Sequence, residues 1–152
     1  MSEFGLRYDA KGRRLSAIGS MALTYDVGGR VLSLGPWWLA YDRWGGDRLR
    51  QIGPYLIEYD TLGTRPRALG TWRLDYHKLG SRLCQVGPFD VGYDRLGNRV
   101  RSIGPMMVHY RGHRPSMVEL PGSQADHLPE ACLLALYIVL HQTARATSMR
   151  GV

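Results

Sequence analysis

From about Phe4 to about Leu120, apolar and polar residues alternate with a period of two in runs of about five or six, the pattern of short half-buried strands. One alternating set collects Leu23 and Tyr25, Leu39 and Tyr41, Ile57 and Tyr59, Leu74 and Tyr76, Val91 and Tyr93, Val108 and Tyr110. The other carries Thr24, Ala40, Glu58, Asp75, Gly92 and His109. The aromatic set is expected to face the core.

The strands repeat as a unit. Tyr8, Tyr25, Tyr41, Tyr59, Tyr76, Tyr93 and Tyr110 are separated by 17, 16, 18, 17, 17 and 17 residues. Five of these tyrosines precede Asp; Tyr76 and Tyr110 precede His77 and Arg111 instead. A second series, Gly19, Gly35, Gly53, Gly70, Gly87 and Gly104, is followed by Pro in four of its six members. Each unit, as in "YDRLGNRVRSIGP", therefore reads as strand, "YDxxG" turn, strand, then a two-residue turn with Gly first. Connections this tight admit only antiparallel neighbours. Seven units of ~17 residues predict a meander of about fourteen strands.

After Gly122 the pattern changes to a helix, expected over 127–145, with Asp126 as a cap and Pro129 in the first turn. It is apolar on every side from Ala131 to Leu140, so it has to be surrounded. The predicted fold class is all-β with one C-terminal α-helix: an antiparallel meander, closed or strongly curled into a barrel around that helix. One domain is expected over 1–152, made of a hairpin region 4–120, a linker 121–126 and the helix. Ten apolar residues are too few for a membrane-spanning helix, which needs roughly 20.

Counting back across the "YDxxGxR" loops, an unbroken ladder sets Tyr59 opposite Arg65, Tyr76 opposite Arg82 and Tyr93 opposite Arg99. It also sets Ile57 opposite Arg67, Val91 opposite Arg101 and Leu74 opposite Cys84, with Phe89 near Ile103. One end of the barrel is then apolar and the other cationic. Each arginine either lies over a tyrosine ring or forms part of a mouth for an anion, the candidates being Arg48, Arg65, Arg67, Arg82, Arg99 and Arg101.

The repeats and the tail "ADHLPEACLLALYIVLHQTAR" together resemble the tubby-like barrel of tubby proteins, phospholipid scramblases and plant LURP-one-related proteins. This chain has more strands, a more regular repeat and no cysteine cluster for acylation. The "YDAKGRRL" and "YDRLGNRV" hairpins also resemble the YD repeats of Rhs-type proteins. The first resemblance implies a non-enzymatic module that binds membranes, often through anionic phosphoinositide head groups, or protein partners. Hairpin tips that pair basic with apolar residues suit such contacts: Arg43, Trp44, Leu62, Lys78, Leu79, Arg95 and Leu96. The same tips could instead fold over and close the barrel end.

The net charge of +7 comes almost wholly from arginine, since Lys11 and Lys78 are the only lysines. This admits an anionic partner. Catalysis is not expected: Asp9, Asp26, Asp42, Asp60 and Asp94 occupy equivalent turn positions, and repetition argues for a structural task. The histidines His77, His109, His113, His127 and His141 show no metal-ligand spacing, and no cofactor or metal site is expected. Cys84 and Cys132 read as buried small apolar residues in a reducing cytoplasm, with peripheral membrane association as an extension of the lipid reading. Nucleic acid is disfavoured because most of the Trp and Tyr residues share the core face, with Trp38 and Trp44 off it. Self-assembly through unpaired strands remains open if the sheet fails to close.

Overall fold

The computed structural model describes residues 2–12, 14–42, 48–61, 63, 65–78, 82–95, 99–122 and 126–150, with helix side chains to 143. Fourteen strands run in chain order: β1 (Ser2–Tyr8), β2 (Leu15–Ile18), β3 (Met21–Tyr25), β4 (Val31–Leu34), β5 (Trp37–Tyr41), β6 (Leu49–Ile52), β7 (Tyr55–Tyr59), β8 (Pro66–Leu69), β9 (Trp72–Tyr76), β10 (Leu83–Val86), β11 (Phe89–Tyr93), β12 (Val100–Ile103), β13 (Met106–Arg111) and β14 (Arg114–Leu120). Each is antiparallel to its neighbours in sequence, and β1 pairs with β14 through Ser2 and Leu120, Phe4 and Val118. The sheet is a closed barrel, so every strand has a partner on both sides.

Within the repeats the strands alternate between five and four residues, not the five or six expected, because the ladder slips at each tyrosine. Tyr59 pairs with Pro66, Tyr76 with Leu83 and Tyr93 with Val100, each next to a bulge. The unbroken ladder is thus corrected throughout. Ile57 faces Leu69, Leu74 faces Val86 and Val91 faces Ile103, while Val86 pairs with Phe89. Arg67 and Arg101 consequently stand exposed on the outer face, and Cys84 is half-buried instead of buried.

The second turn type is as expected. Ile103 pairs with Met106, leaving Gly104 and Pro105 as a two-residue loop. Gly104 has φ of +56°, and a Cβ at this position would collide with the Phe89 ring. Glycine is required here twice, by the left-handed backbone and by the aromatic ring stacked on it.

The helix, α1 (Glu130–Arg150), fills the barrel. It starts later and ends later than expected; its first bond is donated by Leu133 N–H to the Pro129 carbonyl, with Asp126 outside it. Residues from Cys132 to Val139 are buried on all sides and join the inward residues of the strands in one core. An eight-stranded barrel is filled by its own side chains, whereas fourteen strands leave room for a helix. The helix enters at the glycine-turn end, where the Tyr55 hydroxyl donates to Glu130 at 2.6 Å, and its later turns reach the "YDxxG" end. No helix among the described residues is long and apolar enough to cross a membrane.

Candidate functional site

The "YDxxG" tips project from one end of the barrel, and their side chains form a ring with one station per repeat. Tyrosine is the last residue of each odd-numbered strand from β1 to β11 and the last but one of β13. Its hydroxyl reaches back over the preceding hairpin and donates to a backbone carbonyl: Tyr25 to Leu15 at 2.7 Å, Tyr41 to Val31 at 2.8 Å, Tyr93 to Leu83 at 2.8 Å. Tyr8 donates to Pro115 at 2.7 Å, so the pattern continues across the junction of first and last strands.

An arginine lies over each of these rings. Arg14 covers Tyr25, Arg30 covers Tyr41, Arg48 covers Tyr59, Arg65 covers Tyr76, Arg82 covers Tyr93 and Arg99 covers Tyr110. Arg114 completes the circle over Tyr8, 4.2 Å from the ring centroid. Each arginine therefore covers the tyrosine of the following repeat, not its own, because the bulge turns it outward by one residue. Such contacts contribute about 0.5–1 kcal/mol each at exposed sites.

The turn aspartate grips the arginine of its own loop. Asp26 accepts from the Arg30 backbone N–H and from its Nε, both at 2.9 Å, and Asp42 accepts from Arg48 Nε at 2.7 Å. Asp9, Asp60 and Asp94 pair with Arg14, Arg65 and Arg99 in the same way at 3.3–3.5 Å. Asp-to-Arg separations of four, five and six residues all close this pair, so the tips absorb the spacings of 16 and 18. The Arg30 backbone N–H is the main cause that holds the Asp26 carboxyl below the usual carboxylate range. Burial pushes the phenols of Tyr41 and Tyr93 up to about 12, with Arg30 and Arg82 opposing it.

These contacts absorb part of the ring's charge, but the tips keep a surplus. Segments 9–14, 26–30, 42–48, 60–65, 77–82, 94–99 and 111–114 hold thirteen of the twenty basic residues and six of the thirteen acidic ones. Their net charge is +7, that of the whole chain; the remaining seven basic and seven acidic residues cancel. In the fifth and seventh repeats His77 and Arg111 replace the aspartate.

Arg48, Arg65, Arg82 and Arg99 stand in the ring at the cationic end, and Lys78 and Arg95 are exposed on its tips. Arg43, Trp44, Leu62, Leu79 and Leu96 lie outside the described residues. Two grooves run between neighbouring hairpins. One, of about 430 Å³, brings Arg95, Arg99 and Arg101 together with Asp94, Val108 and Tyr110. The other, of about 280 Å³, gathers Arg65, Arg67 and Lys78 with Asp60, Asp75 and His77. The outward turn of Arg67 and Arg101 is what admits them to these grooves.

Sequence reasoning missed Arg14, Arg30 and Arg114, although the repeat that marked Arg65 marks them too. It also missed Val27, fully exposed on the second tip at the position held by Lys78 and Arg95 in theirs. Among the described residues no cluster of His, Cys, Asp and Glu could hold a metal ion. No protein-family model, no curated protein and no solved structure matches this chain.

Proposed function

We propose that the protein is a non-catalytic binding module that engages anionic lipid head groups through the hairpin-tip end of its barrel. The observation that carries this reading is the segregation of charge: the entire +7 resides in the seven tip segments. A polarised field of this kind orients the molecule toward a negative surface and speeds its encounter with one. The groove holding Arg95, Arg99 and Arg101 against the single carboxylate of Asp94 suits a phosphate, which planar guanidinium groups bind in a forked geometry. Val27 supplies an apolar residue at the same end.

Barrel closure bears on the assembly alternative, because β1 and β14 satisfy each other and leave no strand edge to template a second copy. A partner then has to use one of the barrel's ends or its outer face. Co-sedimentation with vesicles tests the proposal: binding is expected to phosphatidylcholine vesicles containing phosphatidylserine, not to phosphatidylcholine alone, and to weaken steeply with added salt. Equal partition to both vesicle types would sink it. Salt-sensitive capture of an acidic protein without vesicle binding would replace the lipid by a protein partner.

A further inference from the structure

The end of the barrel opposite the tips is apolar and acidic. Trp38, Leu56 and Met107 each stand second from a glycine turn on an odd-numbered strand, and all three are exposed, Trp38 to 67% and Leu56 to 59%. Inside this rim Tyr55, Trp72 and Phe89 are only half-buried. Exposed apolar side chains bounded by charges mark a surface that meets another molecule.

Of the seven carboxylates outside the tips, five lie at this end. Glu3 and Glu119 face each other directly across the junction of β1 and β14, and Asp90 stands second from a glycine turn. Asp126 and Glu130 belong to the segment that leads into the helix, where His127 meets Ser20 of the first glycine turn and Glu130 meets Tyr55. Among the described residues Arg73 is the only arginine or lysine at this level, and it pairs with Asp75. Five carboxylates and one guanidinium leave −4 here, against +7 at the tips. Like charges directly opposite on neighbouring strands are unfavourable, so the pair of Glu3 and Glu119 is relieved by an approaching cation. His109, 3.1 Å from Glu119, offsets that charge only when protonated.

We infer that this end is a docking surface for the tip ring of a second copy of the chain, so that barrels associate head to tail. The tips supply both complements: cations to set against the carboxylates, and the fully exposed Val27 to meet the apolar rim. The Debye length is about 10 Å at 0.1 M salt, shorter than the ~17 Å of a five-residue strand. An incoming tip ring therefore senses the acidic end and little of the cationic end behind it, and the net charge of +7 does not forbid the contact. Tip against tip is repulsive, which leaves the unlike ends to meet. Such a contact is heterologous: a pair still presents one free end of each kind and extends into a stack. It does not depend on lipid binding, although it uses the same tips.

Sedimentation equilibrium of the full chain tests the inference. The weight-average mass is expected to exceed that of the monomer at ~100 µM protein in ~0.1 M salt and to return to it in ~0.5 M salt, where the Debye length is about 4 Å. Glu3→Lys with Asp90→Lys reverses charge at the acidic end, and Arg95→Glu with Arg111→Glu does so at the tips; all four side chains are exposed. Each double variant is expected to weaken association about tenfold. An equimolar mixture of the two restores it, because each retains the end that the other has lost. Trp38→Ser, which changes no charge, is expected to weaken association about threefold. A monomer at every concentration and salt, association that neither reversal weakens, or a mixture that stays monomeric would each overturn the inference. A strict monomer whose acidic end binds an oligoarginine peptide would replace the second copy by a basic partner. Vesicle binding by a strict monomer removes only the head-to-tail contact, whereas salt-sensitive association without vesicle binding removes only the lipid reading.

Discussion

One tyrosine of the ring carries three contacts at once: the Tyr76 ring lies under Arg65, its hydroxyl donates to the Pro66 carbonyl at 2.6 Å, and its inner edge packs on the core. Burial and the hydroxyl's donated bond require the neutral phenol and outweigh the opposing pull of Arg65, and this gives the barrel a pH limit. Tyr41 and Tyr93 titrate near 12 in the fold against about 10 when unfolded. A raised tyrosine pKa contributes stability that is fully present below pH ~10 and is lost as pH climbs through the folded value. Thermal melts are expected to fall progressively from pH ~10 to ~12, with the tyrosinate absorbance of the ring tyrosines Tyr41 and Tyr93 appearing together with unfolding. Glycine gives a second residue-scale prediction. Gly112→Ala faces open space and costs only the left-handed backbone, about 1–2 kcal/mol. Gly104→Ala adds the collision with Phe89 and costs about 1–3 kcal/mol more, measurable by denaturant titration. The roles of Tyr, Asp and Gly were legible in the sequence because each depends only on local spacing. The partner of each arginine was not, since a one-residue bulge at Tyr59 or Tyr93 is invisible to a count that assumes an unbroken ladder.

At the scale of elements, the two kinds of turn differ in what they tolerate. Tip loops already vary in length within this chain, and the Asp26–Arg30 and Asp42–Arg48 pairs, whose separations depart from five residues, are the closest, at 2.9 and 2.7 Å. The strands do not register the difference, because the tip projects beyond the last ladder bond. One glycine inserted after Thr61 is therefore expected to shift stability by less than about 0.5 kcal/mol. The same insertion between Gly104 and Pro105 breaks a two-residue turn, moves Met106 and Val108 to the wrong face, and is expected to abolish cooperative unfolding by circular dichroism. The helix was legible from its all-round apolar run, and its need to be surrounded pointed to a closed wall. Its boundaries were less so: Asp126 had the chemistry of a cap, but the Pro129 carbonyl accepts the first bond. Tyr137 was hidden inside that apolar run, where only the packed barrel shows that its hydroxyl is buried without a hydrogen-bond partner among the described residues.

For the whole molecule, closure converts a repetitive sequence into a body with two unlike ends. Aromatic pairs such as Trp37 with Tyr55 and Trp72 with Phe89 line the glycine-turn end, and the ring of tyrosine, arginine and aspartate lines the other. The excess of arginine was plain in the composition; its confinement to one end follows only once alternate turns are assigned to opposite ends. The central claim is that position, not total charge, governs binding to an anionic surface. Charge reversal at two sites separates these. Arg95→Glu alters a tip, whereas Arg73→Glu makes the same change in net charge on the outer face of β9, near the glycine-turn end. With each basic residue near a membrane contributing about 1 kcal/mol, Arg95→Glu is predicted to weaken partition to phosphatidylserine-containing vesicles by about 2 kcal/mol, roughly thirtyfold, and Arg73→Glu to leave it within about threefold. Equal losses in the two variants would contradict the account.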